Sequence, residues 1–144
     1  MTTVRPFKLD DFEVLVDMYY AFNKEVYPNR RIGQKYFFYK AIQEWVAQGA
    51  DIVMSVVDDN LSGFSMCYED DFGHLTQSVY QCDICYVKER YRKGRSAYML
   101  YNNSYTYAKE KGLIVNVSAR VENKVDKLVG SHFDLTETFK TFEG

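Results

Sequence analysis

The chain is poor in the residues that build redox and metal sites, with three cysteines and two histidines among 144 residues. An odd cysteine count argues against a disulfide framework. Cys82 and Cys85 form a C-x-x-C, but "YQCDICYV" reads as a strand. Residues three apart on a strand face opposite sides, so the thiols should diverge and act as structural side chains. His74 and His132 have no paired ligand spacing, so no metal site is expected. No run approaches the roughly 20 apolar residues of a membrane span, and the polar start "MTTVRPFKLDDF" does not resemble a leader. A soluble cytoplasmic protein is the expectation. Net charge is −2 and pI about 5.7, so nothing general points to nucleic acid or anionic membrane. With no repeat, low-complexity tract or linker, one domain over 1–144 is expected.

Apolar and aromatic residues, in contrast, are plentiful. Hydrophobic residues make up 47% and aromatics 17%, enough for a sizeable core. Thirteen Tyr and ten Phe supply large apolar bodies, the tyrosines with a polar tip suited to a cleft.

Periodicity predicts the elements. "TVRPF" reads as a first strand. Asp10 or Asp11 then caps a helix with Phe12, Leu15, Val16 and Tyr19 on one face. After "YPNRRIG", a second helix carries Phe37, Ala41, Ile42 and Trp45 and stops near Gly49. Ile52–Val57 and Ser62–Tyr68 form a hairpin turning near Asp58, Asp59 and Asn60. "DDFGHLTQ" is a polar connection and "SVYQCDICYV" a central strand. A basic turn leads into a helix from about Arg95 to Lys111, closed by Gly112, with Ala97, Leu100, Tyr101, Tyr105 and Ala108 on its packing stripe. "LIVNVSARV" is a buried-type strand, "ENKVDKLVGSHF" a short helix and "DLTETFKTFEG" an edge strand. The order is β-α-α-β-β-β-α-β-α-β, one mixed α/β sheet whose strand–turn–helix–strand unit should be parallel and right-handed.

The basic turn "KERYRKGR" sets Lys88, Arg90, Arg92, Lys93 and Arg95 around Gly94 at a helix entrance. The first N–H groups of a helix lack internal partners, and the dipole adds positive charge there, so the position suits a phosphate or diphosphate. It is no Walker loop, because Gly94 is followed by Arg95-Ser96. A solvated basic loop is the alternative.

Together with the element order, "YVKERYRKGRSAYMLYNNSYTYAKEKG" resembles the acetyl-CoA loop of the GNAT family of N-acyltransferases. That family's pattern is [Q/R]-x-x-G-x-[G/A]. Lys93 and Gly94 match its basic-Gly pair, whereas Tyr91 and Ser96 depart from its first and last positions. The resemblance implies acetyl-CoA as cosubstrate, an amine acceptor, and direct attack in a ternary complex. It leaves a homodimer open.

It also implies site residues. The backbone of Arg92, Lys93, Gly94, Arg95, Ser96 and Ala97 would hold the diphosphate. Cys85, Tyr86 and Val87, at the end of the preceding strand, would lie along the pantetheine arm and offer a polarising N–H. Asn123 would contact the same arm, or simply cap the last helix. Asp83 is the candidate base, or else a solvent-facing strand residue. Glu69, Asp70 and Asp71 could recognise a cationic amine, or form a solvated loop. The family's last-helix Tyr is replaced by Leu128, with His132-Phe133 nearby, which turns attention to Tyr86 or Tyr27 as proton donor. Tyr27, Arg30 and Arg31 would line the acceptor side. Two other classes stay open: a GNAT-fold CoA-binding or interaction module without activity, and a small nucleic-acid-binding domain, which the low pI weakens.

Overall fold

Arg5 and Asp11 anchor the start of the chain. In the computed structural model, which describes residues 1–70 and 78–117, Arg5 forks onto both oxygens of Asp11 at 2.7 and 2.9 Å. The same carboxylate accepts the Lys8 backbone N–H at 2.9 Å. This ties strand β1 (Thr2–Pro6) to a 3-10 turn at Leu9–Asp11 and to helix α1 (Phe12–Val26). Asp11 therefore reaches back toward β1, and neither it nor Asp10 caps α1 through its side chain as the sequence suggested. Helix α2 (Lys35–Ala47) follows, then strands β2 (Asp51–Val57), β3 (Asn60–Asp70) and β4 (Val79–Val87), helix α3 (Ser96–Lys111) and strand β5 (Ile114–Val117). The expected order holds through β5. The expected last helix and edge strand lie outside the described residues, as does most of "DDFGHLTQ".

The strands form one sheet in the order β1-β2-β3-β4-β5, antiparallel except for the parallel β4–β5 pair. The β2–β3 hairpin turns through Asp58 and Asp59, both at positive φ, the conformation a tight two-residue turn requires. Leu15, Val16 and Met18 of α1 and Ile42 of α2 pack on Ile52, Met54, Phe64, Met66 and Ile84 on one face of the sheet. Phe37 is exposed, and Phe38 packs in its place. On the other face α3 covers Cys67, Tyr80 and Cys82. Its buried stripe is Ser96, Leu100, Tyr101, Ser104 and Ala108, so Ser96 and Ser104 take the places expected of Ala97 and Tyr105. β5 is half exposed in its described part, with Ile114 at 47%, where a buried strand was expected.

Small polar groups let α3 approach the sheet. Ser55, Ser62 and Ser96 form a buried hydroxyl chain with both Oγ–Oγ distances 2.8 Å. Beside it, a Cβ on Gly63 would meet the Tyr86 carbonyl oxygen at 2.3 Å, so β3 and β4 sit at this spacing only with glycine there.

The Arg5 fork holds the Asp11 carboxyl below its ordinary range, against the cost of burial. A depressed carboxyl stabilises the fold above its unfolded pKa and loses that contribution as pH falls through its folded value. Asp11→Asn should cost about 3 kcal/mol at neutral pH, because it strands Arg5 beside a neutral group. The variant's denaturation midpoint should also lose part of its decline in acid. An unchanged midpoint at pH 7 would contradict this role.

Candidate functional site

One extra residue in β4 arranges the site. The β3–β4 register pairs Met66 with Ile84 but Cys67 with Cys82, so Asp83 is a bulge. Cys82 lies under α3, and so does Cys85, which packs against the same cluster with Cys67. The expectation that the two thiols diverge is therefore overturned, because the bulge cancels strict alternation between them. All three are free. The Cys82 thiol is raised by its hydrogen bond with Cys67 and by burial, and burial pushes Cys85 up to about 12. Among the described residues no cluster of three or more His, Cys, Asp or Glu could hold a metal ion.

The bulge sends the next side chains to the α1 face. Ile84 joins the core there, and Tyr86 stands 6.3 Å from both Phe22 and Phe64, ring to ring. Asp83 is largely exposed, yet partial burial raises its carboxyl. It bears electrostatically on the hydroxyls of Tyr19 and Tyr68, and Asp70 bears on Tyr68 as well. Two carboxylates thus raise one phenol, Tyr68, whose own burial is the larger cause. Glu69 faces the other way, with the Tyr107 hydroxyl donating to it at 3.4 Å. Asp71 lies outside the described residues.

Backbone direction follows from the ladder. The Lys88 N–H donates to the Ser62 carbonyl at 2.8 Å, so by antiparallel alternation Tyr86 also bonds to β3. Cys85 and Val87 then point their N–H and C=O groups to the opposite edge. There β5 pairs with β4 from Val79 to Cys82, and whatever follows Val117 lies outside the described residues. The Val87 carbonyl accepts the Arg92 Nε–H at 2.8 Å.

Gly94 sits at the junction from β4 to α3, after a 3-10 turn at Glu89–Tyr91. α3 has no side-chain cap; its first turn closes with the Met99 N–H donating to Arg95 C=O at 3.0 Å. The amides of Ser96 and Ala97 precede that bond. Among the described residues, a Cβ at Gly94 would meet the Tyr91 carbonyl at 3.4 Å, an ordinary contact, and nothing closer. Two side chains differ from expectation. Arg92 does not offer a free charge, because it grips both oxygens of Glu25 at 2.7 and 2.6 Å and lies 5.5 Å from the Tyr86 ring centre. Ser96 is buried in the serine chain and contributes backbone alone. The Arg92–Glu25 pair had no local signal in the sequence, since its partners are 67 residues apart. Asn123, Leu128 and His132 lie outside the described residues.

The α1–α2 connection borders an open pocket of about 190 Å³ lined by residues that include Asn23, Tyr27, Arg30, Arg31 and Phe38. The Arg30 guanidinium lies 4.3 Å from the centre of the Tyr27 ring.

No family model matches this chain, and no curated protein matches it in sequence. Solved structures do. A probable acetyltransferase is similar at 20% identity and TM-score 0.78, over 98% of this chain and 95% of its own. The ribosomal-protein-alanine N-acetyltransferase of Brucella melitensis biovar Abortus 2308 is 18% identical at TM-score 0.72, over 100% and 99%. A transcriptional regulator from Bacillus halodurans C-125 is 12% identical at TM-score 0.79, over the whole of both chains. The chain has the GNAT acetyltransferase fold that the basic turn and element order implied.

The buried thiols yield a prediction. Cys67, Cys82 and Cys85 should resist iodoacetamide in the native protein at pH 7.5, because only an accessible thiolate reacts. All three should label in denaturant. Rapid native labelling, read by mass spectrometry, would contradict the packing under α3.

Proposed function

We propose that this chain is an acetyl-CoA-dependent N-acetyltransferase acting on a primary amine of a small molecule or protein. One observation carries the reading: a helix start without a side-chain cap, beside a glycine that the described residues leave open, at the β4–α3 junction of a fold shared end to end with acetyltransferases. A cytoplasmic location accords with that use of acetyl-CoA.

Acetyl-CoA would supply the acetyl group as an activated thioester. The residues at the junction fit its diphosphate. The backbone of Arg92, Lys93, Gly94, Arg95, Ser96 and Ala97 would hold it through helix-start amides, with Lys93 and Arg95 adding charge. Arg92 acts differently, holding the turn to Val87 and Glu25. Along β4, the backbone of Cys85, Tyr86 and Val87 would line the pantetheine arm. The Val87 N–H, on the edge away from β3, is the candidate to polarise the acyl oxygen. Asn123 belongs to this set by resemblance.

Asp83 takes the proton of the acceptor ammonium, since only the neutral amine attacks. Its raised carboxyl brings its basicity toward that of the task. Tyr86 is raised by burial and so keeps its proton at neutral pH, ready to donate to the departing sulfur. Attack is direct: all three thiols pack beneath α3, Cys82 and Cys85 are pushed up, and Cys67, though lowered by its hydrogen bond with Cys82, is buried away from any substrate.

Two variants test this reading. Gly94→Val should melt as the wild type does, because the described residues leave room for the side chain, yet bind CoA at least about tenfold more weakly by calorimetry. Equal affinity would remove the diphosphate grip. Asp83→Asn should lower kcat/KM about a hundredfold. The wild-type rate should rise with pH as Asp83 ionises, and that acid-side limb should vanish in the variant; its persistence would move the base elsewhere. CoA binding without thiol release on any amine would favour a non-catalytic module, the second reading that the similarity to the transcriptional regulator supports.

A further inference from the structure

Two of the three cysteines face each other across the sheet. The β3–β4 ladder sets Cys67 directly opposite Cys82, and both side chains sit in the cluster under α3. Each residue is 1% exposed. Directly opposed residues of antiparallel strands hold their Cα atoms about 4.5–5.5 Å apart, inside the roughly 4.4–6.8 Å span of a disulfide. Cys85 lies beyond the bulge, opposite Ser65, so no cysteine faces it across the ladder. The bulge thus makes one pair out of three thiols.

The surroundings ready that pair for oxidation. The Cys67 thiol is lowered by its hydrogen bond with Cys82, against the cost of burial, and the same bond raises Cys82. Cys67 therefore ionises first, with Cys82 holding its proton beside it. The Ser104 hydroxyl lies 3.4 Å from the Cys67 sulfur. A hydroperoxide supplies the chemistry. The Cys67 thiolate attacks one peroxide oxygen, the O–O bond breaks, and the departing hydroxide takes up a proton, leaving a sulfenic acid. The Cys82 sulfur then attacks the Cys67 sulfur, the S–O bond breaks, and the hydroxyl leaves with the Cys82 proton as water. The two thiols lose two electrons and one hydroperoxide gains them. Hydrogen peroxide is little larger than water, so it needs a smaller local opening than an alkylating reagent does.

The bond would close beside the site. Cys82 directly precedes Asp83, and Met66 and Cys67 flank the point where the register shifts. Bonded sulfurs stand about 2 Å apart, against roughly 3.5–4 Å for atoms merely in contact, so closure draws β3 and β4 together at the bulge. A displacement of about 1 Å at a reacting group is enough to cost up to about a hundredfold in rate.

We propose that Cys67 and Cys82 form a redox pair that a hydroperoxide closes to a disulfide in the folded chain, and that closure slows acetyl transfer by shifting Asp83. The second half rests on the acetyltransferase reading.

The reduced chain, treated with hydrogen peroxide without denaturant, tests both halves. Remaining thiols are alkylated in denaturant and the peptides mapped by mass spectrometry, with cleavage before Asp83 separating Cys82 from Cys85. A Cys67–Cys82 disulfide should appear, with Cys85 alkylated, and dithiothreitol should remove it. Alkylated Cys67 and Cys82, separate sulfur acids at the two, or Cys85 in the bond would overturn the pair. The oxidised chain's kcat/KM for acetyl transfer should fall at least about threefold and recover on reduction. C67S and C82S should each keep their rate through the same peroxide treatment, and either one that folds serves as the control. A mapped bond with unchanged kcat/KM, or an equal loss in the serine variants, overturns the control of the site. If the reduced chain acetylates no amine, the transferase reading and its control fall together, while the mapping still decides the bond.

Discussion

The bulge at Asp83 is the constraint on which the site depends. A β-strand offers alternate residues to its two faces, and one inserted residue changes that assignment for everything beyond it. Before the insertion, Tyr80 and Cys82 face α3; after it, Cys85 does. Ile84 and Tyr86 turn toward α1, and Asp83 stands beside Tyr19 and Tyr68 at the mouth of the same side. Without the extra residue, a strand ending at Val87 would place Tyr86 and Cys85 on the wrong faces. The Cys85 thiol would then lie open to the cleft and the phenol would be packed under α3.

A second constraint joins the two halves of the cleft. Arg92 belongs to the basic turn, yet its guanidinium fork spans Glu25 near the end of α1 and its Nε–H reaches Val87. The pair is partly exposed, so its contribution to stability is modest. Its value is positional. The turn that presents the α3 amides and the helix end that leads into Tyr27, Arg30 and Arg31 cannot move independently while the fork holds. Beneath them the Ser55–Ser62–Ser96 chain seats the first residue of α3 on the sheet. This also accounts for serine at a position where the family pattern has Gly or Ala: the hydroxyl is buried against β2 and β3, and the backbone is left to face the turn.

Much of this arrangement was legible in the residues. Hydrophobic spacing located α1, α2 and α3 to within a few residues, and Asp58-Asp59-Asn60 marked the hairpin turn. Gly94 among cations after an apolar strand marked the junction. Other features had no local signature. A bulge is a relation between two strands, so nothing in "CDIC" announces that its two thiols share a face. The Arg92–Glu25 pairing comes from the fold bringing the end of α1 to the turn, and an arginine read in its own window looks like a free cation. Phe37 and Phe38 are adjacent aromatics, and periodicity alone chose the one that lies exposed. Ser104 was passed over for Tyr105 because hydrophobicity guided the stripe, whereas close approach of α3 to the sheet favours a small side chain.

The central claim is that backbone amides at the start of α3 grip a diphosphate. Amide-resolved NMR during titration with CoA tests it most directly. The account predicts the largest shifts at the N–H groups of Lys93 through Ala97, with a second set at Cys85 and Val87 along the edge of β4 away from β3. Saturable binding that leaves these amides unmoved, or no binding at millimolar CoA, would contradict it.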